Sequence, residues 1–98
     1  MRILITNNTL ARRAGSELYV RDLALGLIKR GHTVFAYSTN LGDVARELQS
    51  AGIEVVNNLD QLEFEPNIIH GHHHLDTMTA LLRFPHVPAI FVCHGSNP

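Results

Sequence analysis

The sequence predicts an α/β fold: a Rossmann-like parallel sheet of about five strands with helices on its faces, the order 3-2-1-4-5 being taken by analogy with doubly wound folds. Three observations predict it. Short apolar, β-rich runs alternate with helix-period segments along the whole chain. The stretches between those runs are too long for hairpins, so consecutive strands must be joined by right-handed crossovers. Hydrophobic residues make up 45% and charged residues 17% of the 98, enough apolar material for the core of one small domain.

The elements follow in order. Arg2-Ile3-Leu4-Ile5-Thr6 is an apolar run closed by Asn7-Asn8, a strand buried on both faces. After a polar loop, Val20, Leu23, Ala24, Leu27 and Ile28 fall on one helical stripe. Ser16 is placed to cap that helix, Glu17 suits the positive end of its dipole, and Gly31 can end it. Residues 33–38 form a second strand. Asn40 and Asp43 resemble a capping box ahead of Leu41, Val44, Ala45 and Leu48, and Gly52 closes this second helix. Residues 53–56 give a third strand and residues 59–64 a helical turn, ended by Pro66. Residues 67–70 are a fourth strand. Leu75, Met78, Leu81 and Leu82 mark another short helix, and residues 89–93 a fifth strand that is apolar on both faces.

Charge and cysteine content exclude several classes. Eight Lys and Arg stand against nine Asp and Glu, a net charge of −1, which argues against a nucleic-acid binder. No apolar run approaches the roughly 20 residues that span a bilayer, and the start of the chain lacks the pattern of a signal peptide. Cys93 is the one cysteine, so no internal disulfide can form and a reducing, cytoplasmic setting is expected. Without a partner base nearby in sequence, Cys93 reads as core.

Ligands of doubly wound sheets bind beyond the carboxyl ends of the strands, where the strand order reverses. Three motifs collect there. Ala14-Gly15-Ser16-Glu17, between the first strand and first helix, would let backbone approach an anionic group, or would be an ordinary turn and cap. It lacks the spacing of a dinucleotide fingerprint. His70-Gly71-His72-His73-His74 holds four of the seven histidines. Extended, it would put His70, His72 and His74 on one face, a three-histidine metal site or the polar lining of a sugar or phosphate pocket. His94-Gly95 follows the fifth strand, where the histidine would polarise a hydroxyl or simply bond a neighbouring carbonyl.

Taken together, the segments resemble the first half of the N-terminal, acceptor-side domain of family 4 glycosyltransferases, two-domain enzymes of the GT-B fold. The resemblance rests on five pieces in order: the opening strand Met1-Arg2-Ile3-Leu4-Ile5, the loop Ala14-Gly15-Ser16-Glu17, the helix running into Lys29-Arg30-Gly31-His32-Thr33-Val34, the segment Pro66-Asn67-Ile68-Ile69-His70-Gly71-His72, and the strand ending Val92-Cys93-His94-Gly95. It departs from the family at Ala14, where a glycine is common, and at Asn67, where aspartate is frequent.

The resemblance implies metal-independent transfer of a sugar from a nucleotide-sugar donor to an acceptor hydroxyl, with retention and no cofactor beyond the donor substrate. It assigns the catalytic role to His94, and substrate contacts to Gly15, Ser16, Glu17, His72, His74 and Gly95. It also implies peripheral membrane contact by the intact enzyme. The family's second, nucleotide-sugar domain has no counterpart in these 98 residues, so the chain alone is expected to be an inactive and marginally stable fragment, self-associating or aggregating through its fifth strand. Two other readings stand beside this one: a non-catalytic binding domain of the same fold, and a metal-dependent hydrolase built on the histidine run.

Overall fold

A computed structural model describes residues 1–11, 15–72 and 74–92, with backbone alone at His74. Five strands, β1 (Arg2–Thr6), β2 (Thr33–Tyr37), β3 (Glu54–Val56), β4 (Ile68–His72) and β5 (Ala89–Val92), form one sheet. Its order is β3-β2-β1-β4-β5 and every pairing is parallel, as the alternating pattern requires. Among the described residues, three helices connect the strands: α1 (Gly15–Lys29), α2 (Asp43–Ser50) and α3 (His74–Arg83).

The pleat divides the core in two. Ile3, Ile5, Val34 and Ala36 face α1 and α2, where they meet Val20, Ala24, Val44 and Leu48. Leu4, Phe35, Tyr37 and Ile69 face the other way, against Ala80 and Phe84 at α3 and Leu59 and Leu62 below it. Each interior strand is therefore covered twice, which is why β1 and β2 read as unbroken apolar runs. Gly31 and Gly52 end α1 and α2 with φ of +89° and +91°, a region glycine enters without strain.

Several local expectations are corrected. Ser16 is the second residue of α1, inside the helix rather than at its cap. The Asn40–Asp43 capping box does not form. Gly42 precedes α2 and no side chain caps it; the carbonyls of Leu10 and Ala11 accept instead, from Ala45 N at 3.0 Å and Asp43 N at 3.0 Å. A Cβ at Gly42 would lie 2.7 Å from Ala11 Cα, so this backbone cap needs glycine. The third strand begins at Glu54. The turn expected over 59–64 is a single 3-10 turn, Leu59–Gln61, capped by Asn58 Oδ1, which accepts from Asp60 N at 3.0 Å.

The fourth strand is longer than its apolar signature. It runs on through Gly71 and His72, pairing Thr6 with Gly71 on one side and His72 with Val92 on the other. Helix α3 has a different phase from the one its leucines suggest. Leu75, Met78 and Leu82 are exposed, Leu81 is partly buried, and Asp76, Thr77 and Ala80 turn inward. β5, apolar on both faces in sequence, is half exposed on both, with Ile90 at 51% and Phe91 at 49%.

Candidate functional site

Among the described residues, every buried polar or charged residue lies at the carboxyl edge of the sheet. They are Thr6 and Asn7 at the end of β1, Ser38 after β2, His72 at the end of β4, Glu17 in the first turn of α1, and Asp76 and Thr77 in the first turn of α3. Burying such groups is costly unless they are paired, so their collection at one edge calls for a local account.

Thr6 ties three elements together. Its Oγ1 lies 3.2 Å from Thr77 Oγ1 and accepts from His72 N at 3.4 Å, joining β1, β4 and α3. Gly71 makes this approach possible, because a Cβ there would overlap the Oγ1 and Cγ2 of Thr77. On the opposite face of the same strand, the register sends His70 and His72 toward α1. His72 is fully buried and its Nε2 lies 2.9 Å from His70 Nδ1, the rings stacked with centroids 4.8 Å apart. Only one of those two nitrogens can carry the shared proton when both rings are neutral. Tyr19 of α1 closes over His72 at 5.6 Å between ring centroids, tilted by 59°.

The chain leaving β1 is ordered by its own polar groups. Asn7 Nδ2 donates to Thr9 O at 2.9 Å, and Thr9 Oγ1 donates to Glu17 Oε2 at 3.3 Å while accepting from Ala11 N at 3.2 Å. Among the described residues, Asn7 Oδ1 is buried without a hydrogen-bond partner. Beyond β2, Tyr37 borders a shallow depression of about 300 Å³ with Asn57, Asn58, Asp60, Thr79 and Arg83. Burial raises the Tyr37 hydroxyl above its ordinary pKa, and the negative charge of Asp76 raises it further.

The sequence-derived site residues fall into three groups. Gly15, Ser16 and Glu17 start α1 at this edge: Gly15 is exposed, with nothing within 4 Å of an added Cβ, and Glu17 is turned inward onto Thr9. His72 lies beside them through Tyr19, on a strand rather than in a loop. His74 opens α3 as backbone, and Cys93, His94 and Gly95 lie outside the described residues, as do Ala14 and His73. Among the described residues no three His, Cys, Asp or Glu side chains are placed to hold a metal ion. No helix among those residues is long and apolar enough to cross a membrane.

Thr6, Tyr19, Asp76 and Thr77 were not among the expected site residues. Thr6 closes an apolar strand with a hydroxyl, a signal present in the sequence. Thr77 carries none, since its burial depends on the phase of α3. Compared with known proteins, the chain is matched by no family model, no curated protein and no solved structure.

Proposed function

We propose that this chain forms the first half of the acceptor-side domain of a retaining glycosyltransferase of the GT-B type, completed by the rest of that domain and by a nucleotide-sugar domain. The observation that supports it best is the gathering of buried polar side chains at the carboxyl edge, where the strand order reverses between β1 and β4. An apolar core alone gives no reason for that asymmetry, whereas a pocket for a hydroxyl-rich ligand needs donors and acceptors held on rigid elements.

In this reading Gly15 and Ser16 line the acceptor side, and Glu17 holds Thr9 and the chain beneath it. By the resemblance, substrate contacts fall to His72, His74 and Gly95, and contact with the transferring sugar to His94. Transfer breaks the bond between the donor's anomeric carbon and the nucleotide phosphate. The acceptor oxygen bonds to the same face of that carbon, and the hydroxyl proton leaves with the phosphate. The protein's part is to hold the two partners in register, worth up to about 7–11 kcal/mol of barrier.

The test joins this chain to the second half of an acceptor-side domain and a nucleotide-sugar domain, and assays radiolabelled sugar transfer from a panel of nucleotide-sugars to mono- and disaccharide acceptors. Transfer is expected, with His94→Ala lowering turnover while the circular dichroism spectrum stays unchanged. Full activity in that variant would remove His94 from the chemistry. Absence of transfer, together with no perturbation of Gly15, Ser16 or His72 amide signals by any sugar, would overturn the reading.

A further inference from the structure

The α3 side of the sheet carries a polar feature of its own, apart from the histidines. Tyr37, the last residue of β2, belongs to the same core cluster as Leu59 and Phe84. It is 5% exposed, yet its hydroxyl has no hydrogen-bond partner among the described residues. What stays accessible borders the depression of about 300 Å³ between α3 and the chain leaving β3. A buried tyrosine normally pairs its hydroxyl. One left open onto a hollow is placed to meet a group arriving from solvent.

The walls come from Asn57 and Asn58 after β3, Asp60 in the 3-10 turn, and Thr79 and Arg83 on α3. All lie between residues 37 and 83, so the β5 edge takes no part in it. The pleat also separates this hollow from the histidine pair. Tyr37 shares its face of the sheet with Leu4, Phe35 and Ile69, whereas His70 and His72 are turned toward α1.

The bonds within the walls determine what they still offer. Asn58 Oδ1 accepts from Asp60 N at 3.0 Å, which leaves the Asn58 amide N–H groups to donate. Arg83 Nε donates to Asp60 Oδ1 at 3.0 Å, leaving the terminal guanidinium N–H groups and the second carboxylate oxygen. Thr79 Oγ1 donates to Leu75 O at 3.0 Å and can only accept from elsewhere. Donors and acceptors are therefore mixed, and hydroxyl groups, which do both, match them best. Charge selects further. Asp60 and Arg83 neutralise each other, and the Asp76 carboxylate lies close enough to act on Tyr37, so an anion is not favoured. Leu59 adds an apolar patch suited to C–H groups. The volume stands at the small end of ligand pockets, room for one ring.

We propose that this depression is a binding site for a neutral, polyhydroxylated ring of monosaccharide size, held by Tyr37, Asn57, Asn58 and the Asp60–Arg83 pair. The pair presents a carboxylate oxygen beside guanidinium N–H groups, a match for two neighbouring hydroxyls. The Tyr37 phenol, kept protonated by burial and by Asp76, bonds a third from the floor. The hollow is shallow and leaves one side of the ring in water, so the affinity is millimolar. This inference does not depend on the transferase reading.

Amide NMR of the isotope-labelled full chain tests it, with glucose, galactose, mannose and myo-inositol as probes and sulfate as the anionic control. At least one neutral compound is expected to shift the Asn57, Asn58, Asp60 and Thr79 amides saturably, and sulfate is not. Tyr37→Phe should keep the circular dichroism spectrum and weaken that binding about fivefold. Asn57→Ala, at an exposed position, covers the case in which the Tyr37 change disturbs the core, and should weaken binding to a similar degree. Ser50→Ala, at the end of α2, should leave it unchanged. Native affinity in both Tyr37→Phe and Asn57→Ala, saturation by sulfate, or no saturable shift with any probe would each overturn the proposal. Saturable shifts at the His70 and His72 amides alone would belong to the transferase reading and would overturn this one.

Discussion

The two ends of the sheet are fastened by the same kinds of bond under opposite conditions. At the amino end, Arg2 N donates to Asn67 Oδ1 at 2.6 Å, Asn67 N donates to Arg2 O at 2.7 Å, and Arg2 Nε donates to Glu65 O at 2.8 Å. The Arg2 guanidinium stands 6.0 Å from the centre of the Phe64 ring. All of these groups are exposed, and water can take the place of any one of them. At the carboxyl end Thr6, His72 and Thr77 are buried, and the Thr6 hydroxyl bonds both Thr77 Oγ1 and the His72 amide. Short bonds at the amino end therefore carry little energy, while longer bonds at the carboxyl end carry more, because a group deprived of its partner there stays dry. Bond length is a poor guide to importance in this molecule; burial decides.

The strongest way to break the carboxyl end is Gly71→Ala. The added methyl would meet Thr77, and either α3 moves outward or the Thr6–Thr77 hydrogen bond breaks. Overpacking of this kind costs typically 1–3 kcal/mol, and the upper end is expected because the obstacle is a β-branched side chain with its own buried bond. Urea unfolding followed by circular dichroism should show the midpoint fall with the slope unchanged. Gly15→Ala, at a position with open space around the new methyl, should leave stability within about 0.5 kcal/mol.

Thr6→Val comes next. Valine keeps the shape and removes the hydroxyl, leaving Thr77 Oγ1 and the His72 amide each without a bond they now make. A loss of about 1–2 kcal/mol is expected. Replacing Thr77 by Val as well should recover part of it, since removal of both partners leaves fewer orphans. Additive losses in the double variant would mean that the two hydroxyls do not act together.

These contrasts also explain how much could be read from the sequence. The parallel pairing and the first helix follow from period, because Ile3, Leu4, Ile5 and the Val20–Ile28 stripe are buried by the layers they belong to, while the strand order rests on analogy with doubly wound folds. What escaped is set by tertiary contact. β4 extends over Gly71 and His72, residues with no strand signature, because β1 and β5 supply partners on both sides. α2 is preceded by a glycine because Leu10 and Ala11, far earlier in the chain, bring the capping carbonyls. α3 turns its polar first turn inward because Thr6 is there to meet Thr77. The site was legible as a place, through Gly15, Glu17 and His72, but not as a network. Its central hydroxyl pair joins residues 71 positions apart in the chain.

Tyr37 gives the carboxyl end a pH signature. Burial and the Asp76 carboxylate both disfavour the phenolate, so the folded pKa lies above the unfolded value near 10.0. Below that value the hydroxyl is protonated in both states and stability does not depend on it. Above it the unfolded chain releases the proton first, and stability falls as pH rises toward the folded pKa. Stability measured from pH 8 to about 11 should therefore decline less steeply in Tyr37→Phe than in the native chain. Equal slopes would mean that Tyr37 ionises as freely in the folded protein as in the unfolded one.

The smallest effect is expected where the bond is shortest. Asn67→Ala removes the acceptor of the 2.6 Å bond from Arg2 N, but Asn67 and Arg2 are both exposed, and a water molecule can accept in its place. The backbone bond from Asn67 N to Arg2 O survives the substitution and keeps β4 in register with β1. The loss should stay within about 0.5 kcal/mol, a fraction of that for Thr6→Val, whose contacts are 0.6–0.8 Å longer. Parallel urea titrations of the two variants make the comparison directly. If Asn67→Ala proved the more damaging, burial would no longer rank the two ends. The amino end would then have to be holding the strands together through Arg2.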